Sequence, residues 1–283
     1  MRGFDFYSPT SLPEAFSLLA ELGTDAAPLA GGTDLLLRMK AGEDVSRAVM
    51  SLKRLKDLEG ISYDSRVGLR LGARVTLREL LRSPIVQENY PVLSQAAGGM
   101  ASEQIRSLAT VGGNLMNAAP SADLAPPLLV LGAEVRLASQ SGERKMPLES
   151  FFLGPGSTAR LPTELLVDIR VPPPDGTALY LKHAPRAYMD IAVVGVAVGV
   201  GKRDGNGRSV RIALGAVAPV PMLAHRAAQV VESGSFRQGE FGRAAQVAGE
   251  ECSPIDDVRA SAGYRRRIVE VLVRRGLEAV VPC

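Results

Sequence analysis

The sequence is poor in the residues that usually announce chemistry. Its 283 residues hold two cysteines, Cys252 and Cys283, two histidines, His183 and His225, and no tryptophan. So few cysteines exclude a disulfide framework, a four-cysteine zinc site and an internally ligated iron–sulfur cluster. No His, Cys and Asp cluster stands at ligand spacing, so a hydrolytic triad or metal centre has nothing to be built from. No catalytic side chain and no metal ligand is therefore assigned, and the hard chemistry is expected to belong to a cofactor. Long apolar runs are also missing: the longest, Ile191 to Gly201, falls well short of the roughly 20 residues that span a bilayer. The start Met1-Arg2-Gly3-Phe4-Asp5 lacks the apolar stretch of a signal peptide, so the expected compartment is the cytoplasm, with no transmembrane segment. Charge of one sign is lacking too. Lys and Arg number 33 against 30 Asp and Glu, without a long basic block, and no nucleic-acid partner is expected.

What is present describes an ordinary globular chain, 46% hydrophobic and 22% charged. The 29 glycines and 19 prolines favour many turns and short elements over a helical bundle. Ser11-Leu12-Pro13-Glu14 reads as a capping box opening a helix with Leu12, Ala15, Phe16, Leu19 and Leu22 at helical spacing and Gly23 as its stop. A strand is expected before Gly31-Gly32 and a short helix after it, at Leu35, Leu36 and Met39. Thr76-Leu77-Arg78-Glu79 is a second capping box. Helices are expected at Pro91 to Ala97 and Asp123 to Leu131, and strands at Val49 to Leu52, Val67 to Gly72, Ala133 to Ala138 and Leu165 to Val171. Pro172-Pro173-Pro174-Asp175-Gly176 is the best domain boundary, because prolines cannot donate to a sheet. Beyond it strands are expected at Leu179 to Lys182, Val193 to Gly201 and Val210 to Val217, with a hairpin turn at Asp204-Gly205-Asn206-Gly207. A last helix should present Tyr264, Ile268, Val271 and Leu272 on one face.

Neither a P-loop nor a dinucleotide Gly-x-Gly-x-x-Gly fingerprint occurs. Two glycine loops stand out instead: Leu29-Ala30-Gly31-Gly32-Thr33-Asp34-Leu35-Leu36 and Thr110-Val111-Gly112-Gly113-Asn114. Adjacent glycines let backbone amides approach a diphosphate with no Cβ between them, and Thr33, Thr110 and Asn114 add polar side chains. Each pair also suits an ordinary tight turn. Asp123 reads equally as a cofactor contact or as the N-cap of the helix after it, and Lys182 with His183 as a solvated strand end. His183 and His225 read as structural or exposed. Arg265, Arg266, Arg267, Arg274 and Arg275 read as a solvated or subunit-docking face.

Together with Gln104-Ile105-Arg106, Ala109, Ala119-Pro120, Asp123-Leu124, Met39-Lys40 and the start Phe4-Asp5-Phe6-Tyr7-Ser8-Pro9, these loops resemble the FAD-binding subunit of the molybdenum hydroxylases. That family includes the medium subunit of aerobic carbon monoxide dehydrogenase and the flavin domain of xanthine dehydrogenase. The resemblance implies an α+β fold. An FAD-binding domain at 1–174, made of two α/β subdomains at roughly 1–57 and 58–174, precedes a smaller domain at 175–283 with an antiparallel sheet and helices. It implies non-covalent FAD, with residues Leu29 to Leu36 and Thr110 to Asn114 around the diphosphate and ribityl chain. Asp123 would lie near hydroxyls, Met100, Ala101 and Leu166 would line the flavin pocket, and Lys182 would contact the cofactor. Ile191 stands where the carbon monoxide dehydrogenase subunit places a flavin-stacking tyrosine, with Tyr188 three residues earlier. The partners implied are a large molybdopterin-binding subunit and a small subunit with two [2Fe-2S] clusters, arranged as a dimer of heterotrimers. Electrons would pass from those clusters through FAD to an external acceptor. Two rival readings are a stand-alone FAD-dependent reductase of the same superfamily and a flavin-free assembly subunit.

Overall fold

The computed structural model describes residues 3–44, 46–187, 189–203, 207–234 and 236–281. The expected turn at Asp204-Gly205-Asn206, Tyr188 and Cys283 lie outside the described residues. Three units follow one another along the chain, each built around its own sheet.

The first unit holds β1 (Asp5–Tyr7), α1 (Leu12–Leu22), β2 (Ala26–Leu29), α2 (Leu35–Ala41) and β3 (Ala48–Ser51). Its strands pair parallel in the order β1-β3-β2. Ser11 caps α1 as expected, accepting from the Glu14 amide, but the Glu14 carboxylate reaches past Ser11 to the Thr10 amide at 2.7 Å. Gly23 ends that helix at φ +53, a conformation open to glycine.

The second unit begins with β4 (Ile61–Asp64), β5 (Gly68–Gly72), α3 (Leu77–Arg82), α4 (Pro84–Asn89) and α5 (Pro91–Gly98). It continues with α6 (Glu103–Arg106), α7 (Val111–Met116), α8 (Ala125–Val130), β6 (Glu134–Ser139), β7 (Gly142–Pro147), β8 (Phe152–Gly154), β9 (Ser157–Thr158) and β10 (Leu165–Val171). Its main sheet is antiparallel, in the order β4-β5-β10-β6-β7. The capping box at Thr76 and Glu79 forms in full. The buried faces of β5, β6 and β10 and of α3, α5, α7 and α8 share one core. Asp168, fully buried in β10, receives hydrogen bonds from Arg70, Arg136 and Arg170, so three strands are tied by one carboxylate.

The third unit carries β11 (Thr177–His183), β12 (Val194–Arg203), β13 (Gly207–Gly215), β14 (Met222–Leu223), α9 (His225–Ser233), α10 (Gln238–Glu251) and α11 (Ala262–Val280). Its four strands are antiparallel in chain order, and the three helices close a second large core against them. The buried face of α11 differs from the expected one: Val269, Leu272, Val273, Gly276, Leu277 and Val280 are buried, whereas Tyr264 and Val271 are exposed. Arg265 leaves the expected solvated cluster altogether. It is buried, donates to the Val193 and Ala216 carbonyls at 2.8 and 3.0 Å, and pairs with Asp257 at 2.8 Å.

Candidate functional site

A cleft of about 740 Å³ runs between the first and second units and is also lined by the segment at 189–191. That volume suits a sizeable small molecule. Its walls come from the β2–α2 loop, the turn after α5, the first turns of α7, the 121–123 segment, the β9 region and the start of β10.

The first glycine loop forms one lip. Ala30, Gly31, Gly32, Thr33, Asp34 and Leu35 line the cleft, whereas Leu29 and Leu36 fold over Gly32 and support the loop from behind. Gly32 sits at φ +72. Gly31 is needed for a different reason: a Cβ there would stand 1.9 Å from the Leu108 carbonyl oxygen. Among the described residues no protein acceptor meets the amides of Gly31, Gly32, Thr33 or Asp34. A run of free N–H groups in a turn is a concavity that favours an anion.

The second glycine loop looks alike in sequence and is built otherwise. Thr110 caps α7, so Gly112 and Gly113 belong to the first turn of a helix and not to a loop. Their amides are spent within the protein. Val111 donates to the Val75 carbonyl, Gly112 to that of Ala73, Gly113 to Thr110 Oγ1 and Asn114 to the Thr110 carbonyl. Glycine at 112 lets the helix lie against β5, since a Cβ would come within 2.6 Å of the Ala73 oxygen. Val111 is buried in the core and does not reach the cleft, while Thr110, Gly112, Gly113 and Asn114 do. Asn114 Oδ1 is buried beside the cleft with no hydrogen-bond partner.

Met100 and Ala101 line the cleft from a turn with Ala101 at φ +43. That turn is held by Arg106, whose Nη1 donates to the Met100 carbonyl at 2.6 Å and to that of Ala101 at 3.0 Å. Asp123 lines the floor; the residue that precedes the first turn of α8 is Leu124, so Asp123 is not the N-cap. Its Oδ1 accepts from the Tyr180 hydroxyl at 2.6 Å and its Oδ2 from Lys182 Nζ at 2.8 Å. Burial pushes the Asp123 carboxyl above the usual carboxylate range, against the pull of Lys182 and of both hydrogen bonds. Lys182 itself does not line the cleft; Asp123 stands between them. Leu165 and Leu166 reach the wall where β10 shifts register between Leu166 and Asp168.

Apart from Ile191, several further cleft residues carry no sequence signal. Arg38, Arg74 and Arg160 line it, as do Gly156, Ser157 and Thr158 from the short β8–β9 hairpin and Met189, Asp190 and Ile191. Ile191 is 48% exposed at the cleft edge. Both histidines lie elsewhere: His225 Nε2 is 2.6 Å from Glu149, and His183 is 3.0 Å from the Tyr264 hydroxyl. Among the described residues no group of three or more His, Cys, Asp or Glu could hold a metal, and no helix is long and apolar enough to cross a membrane.

Residues 2–174 match the family described as FAD binding domain in molybdopterin dehydrogenase, and residues 179–280 match the CO dehydrogenase flavoprotein C-terminal domain. The chain is 32% identical over 285 residues to the xanthine dehydrogenase FAD-binding subunit of Escherichia coli, covering 98% of this chain and 97% of that one. It is also 32% identical over 277 residues to the carbon monoxide dehydrogenase medium chain of Hydrogenophaga pseudoflava, covering 98% and 96%. The solved carbon monoxide dehydrogenase of that organism, in a form lacking the Mo-pyranopterin moiety of its cofactor, superposes with a TM-score of 0.93 at 32% identity over 99% of this chain and 97% of that one. The two family matches, the relatives and the superposition agree: the chain belongs to the FAD-binding subunits of the molybdenum hydroxylase family.

Proposed function

We propose that this chain is the flavoprotein subunit of a heterotrimeric molybdenum hydroxylase, holding FAD non-covalently and passing electrons from the [2Fe-2S] clusters of a small partner to an external acceptor. The molybdopterin cofactor belongs to a large partner, the assembly is a dimer of heterotrimers, and its place is the cytoplasm. The observation that carries the flavin reading is the row of free amides at Gly31, Gly32, Thr33 and Asp34 on the lip of the cleft. The lining fits the dinucleotide on two further counts. Asn114 Oδ1 is a buried acceptor without a donor, and Asp123 lines the cleft while Tyr180 and Lys182 hold its two oxygens from β11. Bound there, FAD supplies the ability to take electrons singly and release them in pairs.

The roles of the chain's own residues follow from these contacts. Residues 30–35 receive the diphosphate on backbone amides, with Leu29 and Leu36 bracing the loop. Thr110, Gly112, Gly113 and Asn114 form the opposite wall, with Val111 anchoring them in the core. Asp123 accepts from a cofactor hydroxyl or N–H, and Lys182 serves it as counter-ion. Met100, Ala101 and Leu166 exclude water from the apolar part of the site. The domain division at 1–174, with subdomains at 1–57 and 58–174, and at 175–283 is part of this reading.

Two measurements test it. Purified protein should carry FAD that acid or denaturant releases into the supernatant, since among the described residues the cleft lining holds no His or Cys for covalent attachment. A colourless protein that gains no flavin absorbance after incubation with FAD refutes the flavin reading. Co-expression with a molybdopterin subunit and a [2Fe-2S] subunit should give a stable complex with equal numbers of each chain. Elution of this chain alone, monodisperse and loaded with FAD, refutes the obligate-partner part only.

A further inference from the structure

Strand β11 reads Thr177-Ala178-Leu179-Tyr180-Leu181-Lys182-His183, and its period of two sends alternate side chains to opposite faces. Leu179 and Leu181 pack into the core of the third unit, whereas Tyr180 is buried in the core of the second. Lys182 shares the face of Tyr180, and both converge on one carboxylate, the hydroxyl on Asp123 Oδ1 and the ammonium on Oδ2. Room for the hydroxyl comes from Gly195 on the neighbouring strand, where a Cβ would stand 2.6 Å from the phenol oxygen. The Tyr180 amide is held as well, donating to Gln95 Oε1 at 3.3 Å. Phenylalanine would fill this core as well as tyrosine does; the hydroxyl adds one thing, a short bond to a residue of the cleft wall.

We propose that Tyr180 is a positioning residue for the cofactor: through its hydrogen bond to Oδ1 it fixes the plane of the Asp123 carboxyl group where that group lines the cleft. An ionised carboxylate has about four lone-pair sites, and the two donors from β11 occupy one on each oxygen. The inference rests on the flavin reading above. The charged or titratable groups that bear on Asp123 are Lys182 and Tyr180, both on β11; the α5 end presents neutral Gln95 to Tyr180 and the Gly99 carbonyl to Lys182. Burial favours the protonated form of Asp123, and the Tyr180 hydrogen bond opposes it. Loss of the hydroxyl therefore lets Asp123 take a proton at higher pH, and the neutral carboxyl, with one oxygen turned donor, accepts more weakly from the ligand.

The test is titration of FAD into flavin-free full-length protein across pH 5 to 8, with the wild type, Tyr180→Phe, Gly195→Ala and Asp123→Asn. Tyr180→Phe should bind roughly tenfold more weakly, in line with the loss of a hydrogen bond to a charged group. Its affinity should fall away at a higher pH than that of the wild type. Gly195→Ala, which keeps the phenol but pushes it off Asp123, should follow the same profile and decides the matter if Tyr180→Phe does not fold. Asp123→Asn should bind weakly with no pH dependence over this range. A Tyr180→Phe protein that binds like the wild type, or is weaker by the same factor at every pH, reduces Tyr180 to packing and overturns the proposal alone. A wild type that takes up no FAD overturns the flavin reading and this one with it.

Discussion

Replacing Gly31 with alanine isolates the contact that closes the cleft lip. The new Cβ would stand 1.9 Å from the Leu108 carbonyl oxygen, 2.6 Å from its carbon and 3.1 Å from the Ala109 nitrogen. Ordinary C···O contacts lie near 3.3 to 3.6 Å, so the two backbones must part by about 1.5 Å. No rotamer relieves the clash, because every atom it meets is main chain. Overpacking of this kind costs about 1 to 3 kcal/mol, and a backbone obstacle places it at the upper end. At roughly 2 to 4 °C per kcal/mol for a chain of this size, the melting midpoint should fall by about 6 to 12 °C. The same shift carries the free amides of Gly31 to Asp34 away from the opposite wall, so flavin retention should fall with it. Scanning calorimetry of the flavin-free protein and the flavin-to-protein absorbance ratio after desalting measure the two effects. Gly242→Ala is the control: it lies within α10 with nothing within 4 Å of its Cβ, and should stabilise by about 0.5 to 1 kcal/mol. A Gly31→Ala protein with the wild-type midpoint and flavin content would refute the assignment of this glycine to lip closure.

Asn114→Leu should separate binding from stability, because it removes a buried oxygen with no partner; the flavin-free midpoint should hold or rise while FAD affinity drops at least tenfold, read by calorimetry and flavin titration. Asp168→Asn should destabilise by about 3 to 5 kcal/mol in urea unfolding, since it removes the buried carboxylate that three arginines share, although Arg136 keeps Glu143 as a second partner. Burial raises the Asp168 carboxyl, but the hydrogen bonds from Arg136, Arg170 and Arg70 prevail and hold it below the usual range. A depressed acid stabilises the fold above its unfolded value near 3.9 and loses that contribution as pH falls through its folded value, so the wild type should lose stability below about pH 4 more steeply than Asp168→Asn. Arg265→Met should free the segment that ends at Val193, so limited trypsin digestion should cut faster at Arg186 while leaving the overall secondary structure by circular dichroism unchanged.

The elements that could be read from sequence are those whose signals are local. Ser11 and Thr76 cap helices because a hydroxyl accepts from an amide three residues on, and that geometry needs nothing from the rest of the chain. Strand β10 and the triple-proline exit were legible for the same reason. Helix α7 was not: Gly112 and Gly113 argue against a helix, and only the fit of Gly112 against Ala73 makes them the right residues there. Strand β7 is exposed along almost its whole length and shows no alternation to read. Arg265 looked like one of a basic cluster because its partners, Val193, Ala216 and Asp257, lie 8 to 72 residues away. In the cleft, loop residues 30–35 and the wall residues Thr110, Gly112, Gly113 and Asn114 were legible, being ordered motifs. Arg160 and the 156–158 hairpin were not, since only the fold brings them to that wall.

Two loops with nearly the same glycine spelling therefore perform different tasks. At 31–34 the glycines leave amides unpaired at the cleft; at 112–113 they let a helix pack with its amides already satisfied. What the second wall presents to the cleft is side chains, those of Asn114 and Asp123. Among the described residues both side-chain donors to the Asp123 carboxyl arrive on β11, from the third unit. The third unit thus bears on the cleft without lining much of it. It seats Tyr180 in the neighbouring core, and through Arg265 it anchors the strand that follows Met189, Asp190 and Ile191 at the cleft edge. Removal of the third unit would strip the cleft of its carboxylate's partners and of one wall, which gives a physical reason for the two domains to be carried on one chain.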